Sequence, residues 1–588
     1  MTQQSTVSQQ FAFVGGPVLK KEASNLRSSL VKRALAQKRS QRWLDASNKL
    51  DSMLASKEDK STDQCTCSPG ASVEKPWINS PRNTNQQPQL LPAQLNCRLC
   101  GRPQPSPVGP QSYPNPTLLG AYRSNPFLPI DATDAKLNVT ELLDFAATTI
   151  WPQFRPVDYT GNGYRSWAFP MEDKVQLYAV LYAASYHRDA LRITYGAEDP
   201  ILDSKEQLEI RGLALQTLRM EVAKLSEFAS PTTRLDGVIM CILYLAVNEL
   251  HKGKMARDCS LFTPPFISMQ ALDVYGGRTY HPLHWNTMQE LVQRSGGIEK
   301  IATGRLTWLL SLSDLFGAFQ VIRKPTYPMM TVAGRRLVLQ RPAVLFQPYG
   351  YHTSTNLSPG LSTPGFGFQE LSFMCPPVKQ DITEAFIHLG EYSAVAQHCI
   401  NTKSNVVLDL LGDSRNLIHN RLLSLPDETD PYELIFEMPD SQTDTESEQS
   451  KLSLLLSHQI YHTCRLSALL YALHVTFPIP RFREPALFIL SALGPRIEWL
   501  RMRNVSQPVL IWCLAILISV LGDNAPEFEG LVSYMVPMAR EEAIDSVPTL
   551  LAFLHSFAWV DAAVGDHWRD LWERIFMSVE RGMEFAEC

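Results

Sequence analysis

Two uninterrupted apolar runs, residues 238–247 and 509–518, constrain this chain more than any other feature. Neither contains a charge, and each holds ten residues. A bilayer-spanning helix needs roughly twenty apolar residues, so both runs predict buried helices rather than membrane spans. A helix that is apolar on nearly all sides must be surrounded by other elements. The chain therefore has to supply several further helices to cover each run.

It has the material. Of 588 residues, 45% are apolar and 19% charged, which suits one large helical domain plus tails and loops. Asn138-Val-Thr-Glu141 has the form of a capping box ahead of Leu142, Leu143, Phe145, Ala146 and Ile150, and Pro152 is expected to close that helix. Val175, Tyr178, Tyr182 and Tyr186 follow one helical stripe, which reads as core. Ser204 with Gln207 opens the next helix, and a further one runs from Pro231 through the first apolar run. Trp285, Met288, Leu291 and Val292 recur at helical spacing until Gly296-Gly297 stops the helix. His281 and His284 stand three apart, a metal-ligand spacing, but with no third ligand nearby they read as helix-start packing around Trp285.

Residues 1–125 have a different character. Lys20, Lys21, Arg27, Lys32, Arg33, Lys38, Arg39 and Arg42 stand against one acid, Glu22. Read as a helix from about 24 to 50, the stretch gathers Arg27, Lys32, Lys38, Arg39 and Arg42 in one broad arc. It suits a solvated basic helix, a bipartite nuclear-import address built on Lys20-Lys21 and Lys32-Arg33, or weak non-specific phosphate contact. Import is the preferred functional reading. Residues 51–125 are rich in Pro, Ser, Gln and Asn, which predicts a disordered linker. Within them Cys65, Cys67, Cys97 and Cys100 are a candidate zinc site, set against the simpler reading of free thiols. Eleven cysteines and no signal peptide point to a reducing, intracellular setting.

The order of the central segments resembles the fungal-specific transcription factor domain family. The carriers are the helix at 171–192, the Leu-rich helix at 213–225, Asp236-Gly-Val-Ile-Met-Cys-Ile-Leu, and the stretch from Trp285 to Gly297-Ile298. Phe11-Ala-Phe-Val, Leu26-Arg27-Ser28 and Leu30-Val31-Lys32 resemble the leader of members that lack a zinc cluster. The resemblance extends thinly over residues 11–48 and 126–585, and implies an all-helical regulatory half of a nuclear transcription regulator. The DNA-binding module often paired with this domain needs six closely spaced cysteines. The tail has four, in another spacing. The resemblance thus supports regulation through the transcription machinery or a partner regulator better than direct sequence-specific DNA contact.

Residues 325–380, dense in Pro, Gly, Ser and Thr, predict a long surface excursion with a short strand pair near 330–339. Residues 427–448 carry nine acids and no base, read as a solvated loop or an acidic partner-binding segment. Helical signals resume at 381 and continue to 585, where Trp559, Trp568, Trp572 and Phe576 should close the core. No phosphate-binding loop, nucleophile elbow, dinucleotide fingerprint or zinc-protease motif is present, and no cofactor is implied. Cys241 and Cys513 lie inside apolar runs and read as inert core.

These observations predict an all-α, irregular, solenoid-like body of some twelve to sixteen helices, in blocks 126–324 and 381–588, with leader 1–50, linker 51–125, Pro-rich loop 325–380 and acidic loop 427–448. The favoured function is a nuclear regulator without enzymatic activity. The alternative is a cytosolic helical scaffold with no role at DNA.

Overall fold

The structure, a computed structural model, describes residues 139–155, 174–194, 204–225, 232–248, 257–258, 260–352, 363–403, 407–438 and 448–580. The basic leader, the four tail cysteines and residues 439–447 lie outside them. Among the described residues the fold is all-α. It comprises eighteen α-helices with 3-10 and π turns between them, and only isolated antiparallel bridges in place of strands. The number exceeds the expected twelve to sixteen because four helices hold only four residues each. No helix among the described residues is long and apolar enough to cross a membrane.

The first helix, α1 (Val139–Phe145), passes through a π turn at Ala146–Ile150 into α2 (Trp151–Phe154). Here the expectation for Pro152 fails. A proline breaks a helix by lacking the N–H that the regular ladder requires. The wide turn just before it changes the pairing, Trp151 bonds back to the Ala146 carbonyl, and the helix runs on to Phe154.

Next come α3 (Lys174–Thr194), α4 (Lys205–Leu225) and α5 (Thr232–Val247), which pack on one another, with α6 (Leu272–Tyr275) and α7 (Pro282–Arg294) beyond. Ser204 caps α4 as expected, its hydroxyl accepting the Gln207 N–H at 3.1 Å. The first apolar run lies in α5 and is buried along its length except at Tyr244. At the end of α7 the Gly297 N–H reaches back to the Val292 carbonyl at 3.0 Å. Gly296 and Gly297 have φ of +90° and +99°, a backbone that side-chain-bearing residues resist. One 3-10 turn, Ile298–Lys300, then leads into α8 (Gly304–Val321), which is buried through most of its length.

After the short α9 (Pro342–Leu345) the second group contains α10 (Gln380–Thr402), α11 (Leu408–Ser424), the short α12 (Tyr432–Ile435) and α13 (Glu448–Tyr471). It continues through α14 (Arg483–Arg501), α15 (Pro508–Leu521), α16 (Phe528–Glu541), α17 (Val547–His555) and α18 (Asp566–Glu580). The second apolar run forms α15, buried from Val509 to Ser519. Trp559, Trp568, Trp572 and Phe576 follow one another as tilted ring pairs at centroid spacings of 5.2, 5.9 and 6.2 Å and close the carboxyl end of the core. The Ser519 hydroxyl receives the Trp568 indole N–H at 2.7 Å.

The described residues of 325–380 hold only short helical turns between irregular stretches, as their prolines predict, but they are not only a surface excursion. Tyr327, Met329, Met330, Phe346, Phe368 and Leu371 are buried. Two buried carboxylates hold the segment down. Asp314 of α8 accepts the Thr326 and Tyr327 N–H groups, and Glu391 of α10 receives the Arg341 guanidinium. The expected strand pair is reduced to one bridge between Met330 and Arg336. The start of the acidic stretch is also engaged: Asp427 and Asp430 pair with Lys324, and Glu428 pairs with Arg496.

Candidate functional site

The interior holds a polar junction where the two helical groups meet. Arg155, just past α2, sends Nη1 to Asp413 Oδ1 at 2.8 Å, with Asp409 at 3.9 Å, and all three side chains are almost fully buried. Asp409 and Asp413 stand four apart on α11, so one helical face presents both. From the other side Gln270 enters. Its amide N–H contacts Asp413 at 3.4 Å, and its carbonyl accepts from Arg415 at 3.0 Å and Asn416 at 2.8 Å. Gln270 and Ala271 both have positive φ, +55° and +53°, where a side chain costs roughly 1 kcal/mol or more. The hydrogen bonds to Gln270 hold that backbone in place.

A second π turn, Ala472–Thr476 at the end of α13, reaches the same helix from within the second group. Thr476 hydrogen-bonds His419 Nε2 at 2.8 Å, while the Arg415 guanidinium lies 5.1 Å from the Phe477 ring. Arg257 donates to the carbonyls of Ile479 at 2.9 Å, Leu473 at 3.3 Å and His474 at 3.4 Å. Its guanidinium thus takes up acceptors that the wide turn leaves outside the regular ladder.

Beside the first π turn lies a cavity of about 50 Å³. Ala146, Ile150 and Phe154 form one wall, Val180 and Ala184 of α3 another, and Val247, Leu312 and Phe316 the rest. No lining residue carries a carboxylate or a cation; the polar atoms come from Trp151, Tyr244, Tyr275 and Ser313. At its edge Tyr275 and Gln153 hold His187, whose Nε2–H donates to Gln153 Oε1 at 2.9 Å while Nδ1 accepts the Tyr275 hydroxyl at 3.1 Å. Burial first, and the Arg278 charge second, push the His187 imidazole down to about 3. Neutral at physiological pH and bonded at both nitrogens, His187 is a structural group rather than a base in waiting. The arrangement can hold a small apolar group.

The sites expected from the sequence fare unevenly. Lys20, Lys21, Arg27, Lys32, Arg33, Lys38, Arg39 and Arg42, and Cys65, Cys67, Cys97 and Cys100, lie outside the described residues. His281 and His284 have ring centroids 4.5 Å apart beside the Tyr280–Trp285 contact. Among the described residues no group of three or more His, Cys, Asp or Glu is arranged to hold a metal ion. Cys241 and Cys513 are buried. Burial pushes the Cys399 thiol up to about 11, and burial together with the neighbouring Cys513 raises that of Cys464. The polar junction was missed. The available signal was Asp409 and Asp413, four apart in a leucine-rich stretch.

No protein-family profile matches this chain. No curated protein and no solved structure matches it either.

Proposed function

We propose that this chain is a regulator of transcription of the fungal-specific type, entering the nucleus through Lys20-Lys21 and Lys32-Arg33 and acting through protein partners. The observation that carries the reading is the grouping of α3, α4, α5 and α7. The segments in which the resemblance lies pack on one another and end at the Gly296-Gly297 stop. The cavity bears on the mode of action. At about 50 Å³ it is far smaller than the ~300 Å³ of an ordinary drug-sized site. Protein partners are therefore preferred over a large small-molecule effector.

A fluorescently tagged chain tests this directly. The wild-type protein should concentrate in the nucleus, and replacing Lys20, Lys21, Lys32 and Arg33 by Ala should release it to the cytosol. Genome-wide occupancy, with and without residues 1–50, should show enriched sites that survive the truncation once an unrelated import signal is added. Cytosolic residence of the wild-type protein, or no enriched site, would replace the regulator by the helical scaffold.

A further inference from the structure

We infer that the outer face of α14 is a self-association surface, on which a second copy of this chain docks antiparallel about a twofold axis at Ser491. The helix packs on α13 and α8 and buries Ile489, Leu493, Ile497 and Leu500. The face turned away from them carries Leu487 and Phe488, exposed at 56% and 58%, then Ser491, Gly494 and Pro495, also exposed. At ~100° per residue these positions fall within about 60° of Ser491, so one strip of a single helix presents them all. The strip is uneven. Two large apolar side chains stand one turn before Ser491, whereas one turn after it a Cβ added at Gly494 would meet nothing within 4 Å. Pro495 has no N–H, so the Ser491 carbonyl, in the middle of the strip, lacks its regular helical donor.

The strip is its own complement, and that names the occupant. On the helical projection Leu487 and Gly494 lie to one side of Ser491, Phe488 and Pro495 to the other. A twofold axis across the helix keeps each residue on its side and reverses the chain direction. Leu487 of each copy then enters the gap at Gly494 of the other, and the Phe488 ring lies against Pro495. The glycine lets the two helices approach closely. A parallel pair would instead set Leu487 against Phe488 at one end and leave a gap at Gly494. The ends add no net charge, because Arg483 and Glu484 come opposite Glu498 and Arg501, two bases and two acids. One helix pair is small beside the ~1,200 Å² of a stable interface, so the dimer is a weak and reversible one. The inference concerns self-association and stands apart from the nuclear reading.

Sedimentation velocity of the full-length protein over roughly 1–300 μM, a range in which so small an interface dissociates, tests it. The wild-type chain should pass from monomer to dimer as its concentration rises. Phe488→Glu should weaken association at least ~tenfold, and so should Gly494→Leu. Neither should lower the melting temperature, since both positions are exposed. Gly494→Leu is the sharper variant, because it adds apolar surface yet fills the gap that Leu487 needs. Under mild oxidation a Ser491→Cys chain should yield a disulfide-linked peptide joining residue 491 to residue 491, a bond that forms only between copies. A wild-type chain that stays monomeric throughout, a dimer that Phe488→Glu leaves intact, or association strengthened by Gly494→Leu overturns the inference. So does the absence of the 491–491 peptide.

Discussion

The two π turns, Ala146–Ile150 and Ala472–Thr476, begin from the same backbone event and end in opposite environments. Each widens a helix by one residue and displaces carbonyls from the regular ladder. At Ala472–Thr476 an arginine arrives from outside, Arg257, and its guanidinium donates to three carbonyls around the turn. All five residues of that turn are buried. At Ala146–Ile150 the arginine that follows the turn, Arg155, points away, to Asp413 on α11. The space beside that turn stays apolar and holds the cavity. The wide turn alone does not make a pocket; the cation's direction decides whether the widened backbone is packed or left with room beside it.

Arg155→Met should have the largest effect. It leaves Asp409 and Asp413 buried without their guanidinium, and breaking one side of a buried charge pair costs about 3–5 kcal/mol. Urea unfolding should show the loss. An Asp413→Asn change in the same background should recover part of it, because one of the two buried carboxylate charges is then removed. A loss below ~1 kcal/mol would mean that the junction is not held by charge at all.

Arg257→Met comes next, at about 2–3 kcal/mol, because backbone acceptors rather than a charge lose their partner. The two arginine variants also differ in where the damage appears. Amide exchange should accelerate around residues 472–479 for Arg257→Met, and along α11 for Arg155→Met. Identical exchange patterns would show that the two turns belong to one cooperative unit and would dissolve the contrast between them.

Leucine in place of alanine reads the packing difference. Ala183 lines the cavity beside the first turn, and Ala472 is fully buried in the second. Ala472→Leu should cost about 1–3 kcal/mol through overpacking, whereas Ala183→Leu should be neutral or stabilise by up to ~1 kcal/mol. Thermal unfolding of both variants decides this. Equal destabilisation would mean that the first turn is packed as tightly as the second.

Much of the fold was legible and little of the junction was. The two apolar helices could be read because they are apolar on every side, and Ser204 and Gly296-Gly297 because caps and stops are local chemistry. Pro152 misled because a proline's effect depends on the register of hydrogen bonds before it. The burial of Tyr327, Phe346 and Phe368 was hidden because their positions follow the carboxylates that anchor the loop, not any helical or strand period. Arg155 and Asp413 are 258 residues apart, and nothing in either neighbourhood announces the other.

In one respect the turns should behave alike: each adds about 1.4 kcal/mol per pH unit to the acid slope of stability. Each has a buried neutral imidazole beside it. His187 is lowered to about 3 by burial and by Arg278, and His474 to about 3 by burial and by Arg257. Unfolded, both take a proton near 6.5. Above that pH neither state is charged, and stability is flat with respect to these groups. Below it the unfolded chain binds protons that the native state refuses, so stability falls as pH falls, until about 3. Replacing either His187 or His474 by Gln should remove one such increment from the slope between pH 6.5 and 5. The Arg257→Met variant should leave the slope between pH 6.5 and 5 in place, because burial is the larger cause of the His474 shift, and should end the His474 share at a pH above 3, while leaving the His187 share untouched. If the acid end of that share did not move, burial alone would account for His474, and the second turn's arginine would act only on its carbonyls.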